Sequence, residues 1–154
     1  MSKDSLVMLR DLQKQHPKTK FVFADINYNL LSDNDITNIG RSLSDSLKPY
    51  FTYVDDTFDC NSFALMGCAI AKLANRISSK EKAAPALGYC YYTKYIKTSI
   101  FNNDYESIGR HCINCSIDYA DNVYYLRFYE PQDKLTELDL CELELSSLSD
   151  VVFP

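Results

Sequence analysis

Three windows of the chain repeat apolar residues at helical spacing. Leu6, Leu9 and Leu12 recur among Lys, Arg, Asp and Gln, which predicts a surface helix over Ser5–Gln15. His16-Pro17 ends it, because a residue before proline is steered away from the helical region. Ile36, Ile39, Leu43 and Leu47 form one stripe behind Ser32 and Asp35, which are spaced as a capping box, so Asp33–Leu47 reads as a helix closed by Pro49. Over 60–77 the character changes. Phe63, Ala64, Leu65, Met66, Cys68, Ala69, Ile70, Ala71, Leu73 and Ala74 leave almost no polar face in the first four turns. A helix apolar all round is a buried one, and Cys60 stands at its start.

The rest of the pattern is extended. Residues 20–26, 50–54 and 87–93 are short β-prone runs, and 138–145 alternates strictly, as a half-buried final strand would. Residues 111–119 and 123–130 read as two strands of a hairpin around Ala120-Asp121-Asn122. Residues 98–110 read as a long surface loop and 146–154 carry no assignment. The expected fold is α+β in one domain, 1–154: N-terminal helices and a buried cysteine-bearing helix packed on an antiparallel sheet.

Composition narrows the classes. The chain has 154 residues, 46% of them apolar and 24% charged, as in an ordinary globular domain. A net charge of −5 without a basic stripe argues against nucleic acid. No apolar run reaches the roughly 18–20 residues of a membrane span. The N-terminus lacks the basic-then-apolar order of a signal peptide, so a cytoplasmic location is expected. The six cysteines, at 60, 68, 90, 112, 115 and 141, are then expected to be reduced and mostly core residues.

Three stretches point to chemistry: Asp59-Cys60-Asn61-Ser62-Phe63-Ala64, Gly109-Arg110-His111-Cys112-Ile113-Asn114 and Phe128-Tyr129-Glu130-Pro131-Gln132. Free N–H groups and the positive dipole end at a helix start favour a thiolate and can hold an oxyanion. Cys60 has that position; Cys68, two turns deeper, is expected to be inert core. Of the two histidines, His16 precedes a proline at the end of a surface helix, which leaves His111 as the candidate base. Hairpin register tests whether a carboxylate meets it. Burying Ile113, Cys115 and Ile117 with Tyr124, Leu126 and Phe128 pairs odd positions of the first strand with even ones of the second. A two-residue Asp121-Asn122 turn puts Glu130 opposite Ile113 and diagonal to His111; a turn shifted back by one residue puts it directly across. A three-residue loop would separate them. Cys112-x-x-Cys115 is set aside as a zinc site, since its cysteines point to opposite strand faces and no second ligand pair exists.

Asp-Cys-x-x-Phe-Ala on a helix, His-x-x-Asn on a strand and Glu-Pro-Gln closing the next resemble a papain-like cysteine peptidase group, namely the C-terminal domain of the Marasmius oreades agglutinin and related bacterial and phage proteins. The likeness is strongest over 56–132. It implies a papain-like fold and a thiol hydrolase, a peptidase or isopeptidase, acting on a peptide or protein substrate. Cys60 would be nucleophile, His111 general base and Glu130 its orienting carboxylate. The glutamine expected about six residues before the cysteine is Val54 here, which leaves Gln132, Asn61 or Asn27 to support an oxyanion. Calcium is implied by the resemblance alone, and no metal-binding residues are assigned. The alternative is a catalytically inactive papain-like binding module, a phage or bacterial factor that engages a host protein.

Overall fold

The computed structural model describes residues 3–47, 59–78 and 83–154. The expectations for Pro49, 50–54, 55–57 and 80–82 lie outside the described residues. In chain order the elements are β1 (Lys3–Asp4), α1 (Ser5–Gln15), β2 (Lys20–Phe23), β3 (Asn27–Asn29), α2 (Asp33–Leu47), α3 (Cys60–Ser78), β4 (Ala84–Pro85), β5 (Leu87–Lys97), β6 (Tyr105–Ala120), β7 (Val123–Glu130), a 3-10 turn (Pro131–Asp133), β8 (Thr136–Leu138), α4 (Glu142–Ser146) and β9 (Asp150–Phe153).

The helices begin where the capping chemistry places them. The Asp4 carboxylate accepts from the Leu6 N–H at 2.7 Å at the start of α1. At α2, the Ser32 N–H donates to Asp35 Oδ2 at 2.9 Å while the Asp35 N–H donates to Ser32 Oγ at 3.2 Å, a reciprocal capping box. The inward face of α1 differs from the expected stripe. Met8 and Leu12 are buried, an i, i+4 pair, whereas Leu6 is exposed.

Six strands form the main sheet in the order β2-β9-β5-β6-β7-β8, and β1-β3-β4 form a small second one. The expected papain-like arrangement of helices on an antiparallel sheet is corrected by this topology. The main sheet is mixed, because β2 runs parallel to β9 while the other neighbours are antiparallel. The unassigned tail supplies β9, which lies between β2 and β5. Residues 138–145 do not form one strand. Their alternation breaks at Cys141, where the Cys141 N–H donates to Glu144 Oε2 at 3.2 Å and opens α4. Of the expected loop 98–110, the part from Tyr105 onward is strand, since β5 and β6 pair as far as Lys97 with Tyr105. Their register slips between Lys94 and Tyr95, where Ile108 is left without a partner and Gly109 takes φ +115°.

Each face of the sheet buries its own cluster. On one face Met8 and Leu12 of α1 meet Cys90, Tyr92, Ile113, Cys115, Ile117, Leu126, Phe128, Val151 and Phe153. On the other, Ile36, Ile39, Leu43 and Leu47 of α2 and Phe63 and Ala71 of α3 meet Leu87 and Tyr129. Strand alternation accounts for the division, with successive side chains pointing to opposite faces. The expectation that α3 is buried all round is corrected here: Ala64, Cys68 and Ala71 face inward, but Leu73 is 63% and Ile77 87% exposed. The helix lies on the sheet as a lid, and the sheet covers only one side of it.

Arg127 joins the β7–β8 edge to α2. Its guanidinium donates to both Glu137 oxygens, at 2.8 and 2.7 Å, and to Asp33 at 2.6 Å. Hydrogen bonding from Arg127 holds the Glu137 carboxyl below its ordinary range. A depressed carboxyl stabilises the fold above its unfolded value, and that contribution disappears as pH falls through the folded value. Glu137 and Asp33 are well exposed, so solvent reduces the effect. Arg127→Met is therefore expected to melt below wild type at pH 6, with the gap narrowing as pH drops below about 4.5, the unperturbed carboxyl value. An equal gap at pH 6 and pH 3, measured by thermal melts, would refute this electrostatic role.

Candidate functional site

The hairpin turn sets the first contact of the site. Asp121 and Asn122 both have positive φ, 51° and 64°, the two-residue turn that joins twisted antiparallel strands. Ala120 therefore pairs with Val123, and the ladder runs to Asn114 opposite Tyr129. One step further along, Glu130 stands opposite Ile113 and diagonal to His111. The His111 Nε2 to Glu130 Oε2 distance is 3.0 Å, with each side chain 18% exposed. An ionised carboxylate only accepts, so Nε2 is the donor of this bond. Glu130 Oε1 also accepts from the Gln132 N–H at 3.3 Å, capping the 3-10 turn that Pro131 begins. One carboxylate thus holds both the imidazole and the chain reversal after β7. Tyr92 and His111 pack edge to face, with ring centroids 5.8 Å apart.

Cys60 opens the helix that covers the sheet. It is half-buried at the first residue of α3, beside Tyr91 and Cys112. Tyr91 pairs with Cys112 across β5–β6, and Tyr92 with His111. Alternation along β6 sends Asn114 to the α3 face, where it touches Ala64 and Cys68, and His111 to the face of Ile113 and Cys115. Among the described residues no hydrogen bond joins Cys60 to His111. The start of α3 is also already occupied by an anion. Asp59 Oδ1 accepts from the Ser62 N–H at 3.1 Å, and its other oxygen accepts from Asn61 Nδ2 at 3.3 Å. That carboxylate offsets the helix end's positive charge and takes one of the donors an oxyanion would need. Asn61 is committed to Asp59, and Gln132 meets the site through its backbone N–H while its side chain is exposed. Asn27 lies in β3, and Val54, Asp55 and Asp56 fall outside the described residues.

Four of the other cysteines, Cys68, Cys90, Cys112 and Cys115, are buried thiols, and Cys141 is partly exposed. Burial pushes Cys68 up to about 12 and raises Cys112 and Cys115 as well. Cys112 and Cys115 point to opposite faces of β6. His16 lines an open groove of about 330 Å³ together with Gln15, Tyr125 and Asp139, and burial lowers its imidazole below the ordinary range. His111 does not line that groove, and two of its polar side chains are engaged within the fold: Gln15 Nε2 donates to the Tyr124 carbonyl at 2.6 Å, and Arg127 is bound to Glu137. The pre-formed His111–Glu130 pair is the stronger candidate site. Among the described residues no helix is long and apolar enough to cross a membrane.

A mixed six-stranded sheet with a capped helix laid on one face is a fold shared with solved lectin structures. One is a PSL1a-E64 complex, with TM-score 0.72 and 17% identity over 99% of this chain and 51% of that one. Another is Polyporus squamosus lectin bound to the human-type influenza-binding epitope Neu5Acα2-6Galβ1-4GlcNAc, with TM-score 0.70 and 18% identity over 99% of this chain and 49% of that one. The chain spans about half the length of each, and at such identity the likeness establishes the fold alone. No family model and no curated protein matches the sequence. The sequence-based resemblance to papain-like cysteine peptidases, with its thiol-hydrolase activity and peptide substrate, is corrected by these structures, which are those of a lectin.

Proposed function

We propose that the chain is a binding module of a lectin-type protein, that it engages its ligand without cleaving it, and that the ligand is a glycan. The observation that carries this reading is the fold shared over 99% of the chain with a lectin structure holding a sialylated trisaccharide. The site's geometry supports it. His111 and Glu130 are fixed to each other, to the 3-10 turn and to Tyr92 before any ligand arrives. Pre-positioned polar atoms in an aromatic setting are what small-ligand sites use for orientation. Hydroxyl groups suit such a pair, because a hydroxyl can donate to the carboxylate and either donate to or accept from the ring nitrogen. Binding of this kind needs no thiolate, in keeping with the Asp59 carboxylate beside Cys60.

Glycan-array screening followed by titration calorimetry, with Neu5Acα2-6Galβ1-4GlcNAc among the probes, tests the proposal. Glycan binding is expected, and Glu130→Gln should weaken it about tenfold or more, the equivalent of ~1.4 kcal/mol. Absence of binding across the array would overturn the reading. So would selective labelling of Cys60 by a thiol-directed electrophile at neutral pH that is lost in His111→Ala, the signature of a working thiol–imidazole centre.

A further inference from the structure

Asn114 is a buried, tightly held polar side chain. It is fully buried, and its amide ties its own strand to two other elements. Nδ2 donates to the Ala64 carbonyl of α3 at 2.9 Å and to the Gly88 carbonyl of β5 at 3.0 Å, and lies 3.4 Å from Cys68 Sγ, while the residue itself belongs to β6. Its Oδ1 is buried without a hydrogen-bond partner. That oxygen faces Gly67, where an added Cβ would stand 2.5 Å from it. Only a residue without a side chain lets α3 settle this close.

The placement matters because of what lies on either side. Ala64 is one helical turn after Cys60, and Asn114 is three residues after His111 on the same strand. A helix rises about 1.5 Å per residue, so the amide holds α3 roughly 6 Å from its first residue. Apolar contacts alone let a helix slide on a sheet. Two directional bonds and a glycine notch fix one position along the strand.

We propose that Asn114 is a positioning residue of the candidate site, setting where the start of α3, Asp59-Cys60-Asn61, stands against His111. This rests on the reading of that region as the functional centre. Cys60 reports the helix start, since it and Cys141 are the two partly exposed thiols while the other four are buried. The test is iodoacetamide alkylation of each cysteine, followed by mass spectrometry below the melting range of each variant, together with ring-proton titration of the two histidines. In Asn114→Ala, and in the milder Asn114→Ser, the Cys60 rate should change about fivefold or more relative to Cys141, while Cys68 stays protected. The His111 titration midpoint should move and that of His16 should not. Gly67→Ala, acting from the helix side, should reproduce both changes. If Asn114→Ser folds with a lowered melting temperature but leaves the Cys60-to-Cys141 ratio and the His111 midpoint as in wild type, Asn114 is a structural residue only and the proposal fails. Rates that rise together for Cys60, Cys68 and Cys141 would equally overturn it, as general loosening. None of these readouts uses a glycan, so a failed glycan screen and a failed positioning role give different results.

Discussion

Phe153→Ala should be among the most damaging single substitutions in the protein, costing about 3–5 kcal/mol. The ring is fully buried and stacks on Phe23 at 5.1 Å, with Tyr28 edge-on at 6.0 Å. It lies over Gly88, where a Cβ would strike the ring and the neighbouring Val152 carbonyl. No larger residue at 88 could move in to fill the space left by alanine. The backbone at 153 is equally committed, because its carbonyl accepts from the Tyr28 hydroxyl and the Ala24 N–H, each at 2.9 Å. Truncation therefore opens a cavity between β2, β3 and β5 that the fixed backbone cannot close. For a domain of this size the melting temperature should fall by roughly 6–20 °C. A loss of less than about 3 °C would mean that the aromatic cluster is not the packing centre described here.

Glu144→Ala comes next, at about 2–4 kcal/mol, because it strands backbone donors and removes a charged acceptor. β9 covers β5 only at Tyr89 and Cys90. Beyond that point the edge of β5 is satisfied by the segment around α4. The Ser149 N–H donates to the Tyr91 carbonyl at 3.1 Å, the Thr93 N–H donates to Ser147 Oγ at 2.7 Å, and the Tyr95 N–H donates to Glu144 Oε1 at 3.1 Å. Side chains here stand in for a missing strand. The second Glu144 oxygen caps α4 through the Cys141 N–H. Alanine leaves both donors without partners, whereas Glu144→Gln keeps one acceptor and should recover about half the loss. Hydrogen exchange at Tyr95 and Cys141 should rise in the alanine variant. Unchanged protection at both amides would sink the account.

How far residues alone predict this protein depends on whether a signal is local. α1 and α2 carry their own caps and stripes, and their bounds follow from those. The His111–Glu130 contact was equally within reach, because pairing Ala120 with Val123 forces every later register position. β9 was not. It is four residues long, and its identity as a strand depends on partners more than fifty residues away. α4 was hidden because period-two alternation over 138–145 resembles a strand, and its cap is a cysteine rather than one of the usual capping residues. The outer part of β6 is exposed on both faces, so no hydrophobic alternation marks it. The candidate site shows the same boundary between local and distant signals. The position of Cys60 at a helix start could be read, but which face of the sheet that helix covers is decided by Asn114, Gly67 and the α2 contacts.

The parallel pairing of β2 with β9 also sets an order of events during synthesis. Phe21 and Phe23 leave the ribosome early, yet their strand partners, Val151 and Phe153, come some 130 positions later. Until then β2 is an apolar segment with an open edge, and β5 lacks one neighbour. The β5–β6–β7 meander can form beforehand, since its contacts are near in sequence. A nascent chain should thus pass through a stage with a formed meander and a loose N-terminal strand, the type of exposed edge that chaperones shield and that aggregates when they are scarce.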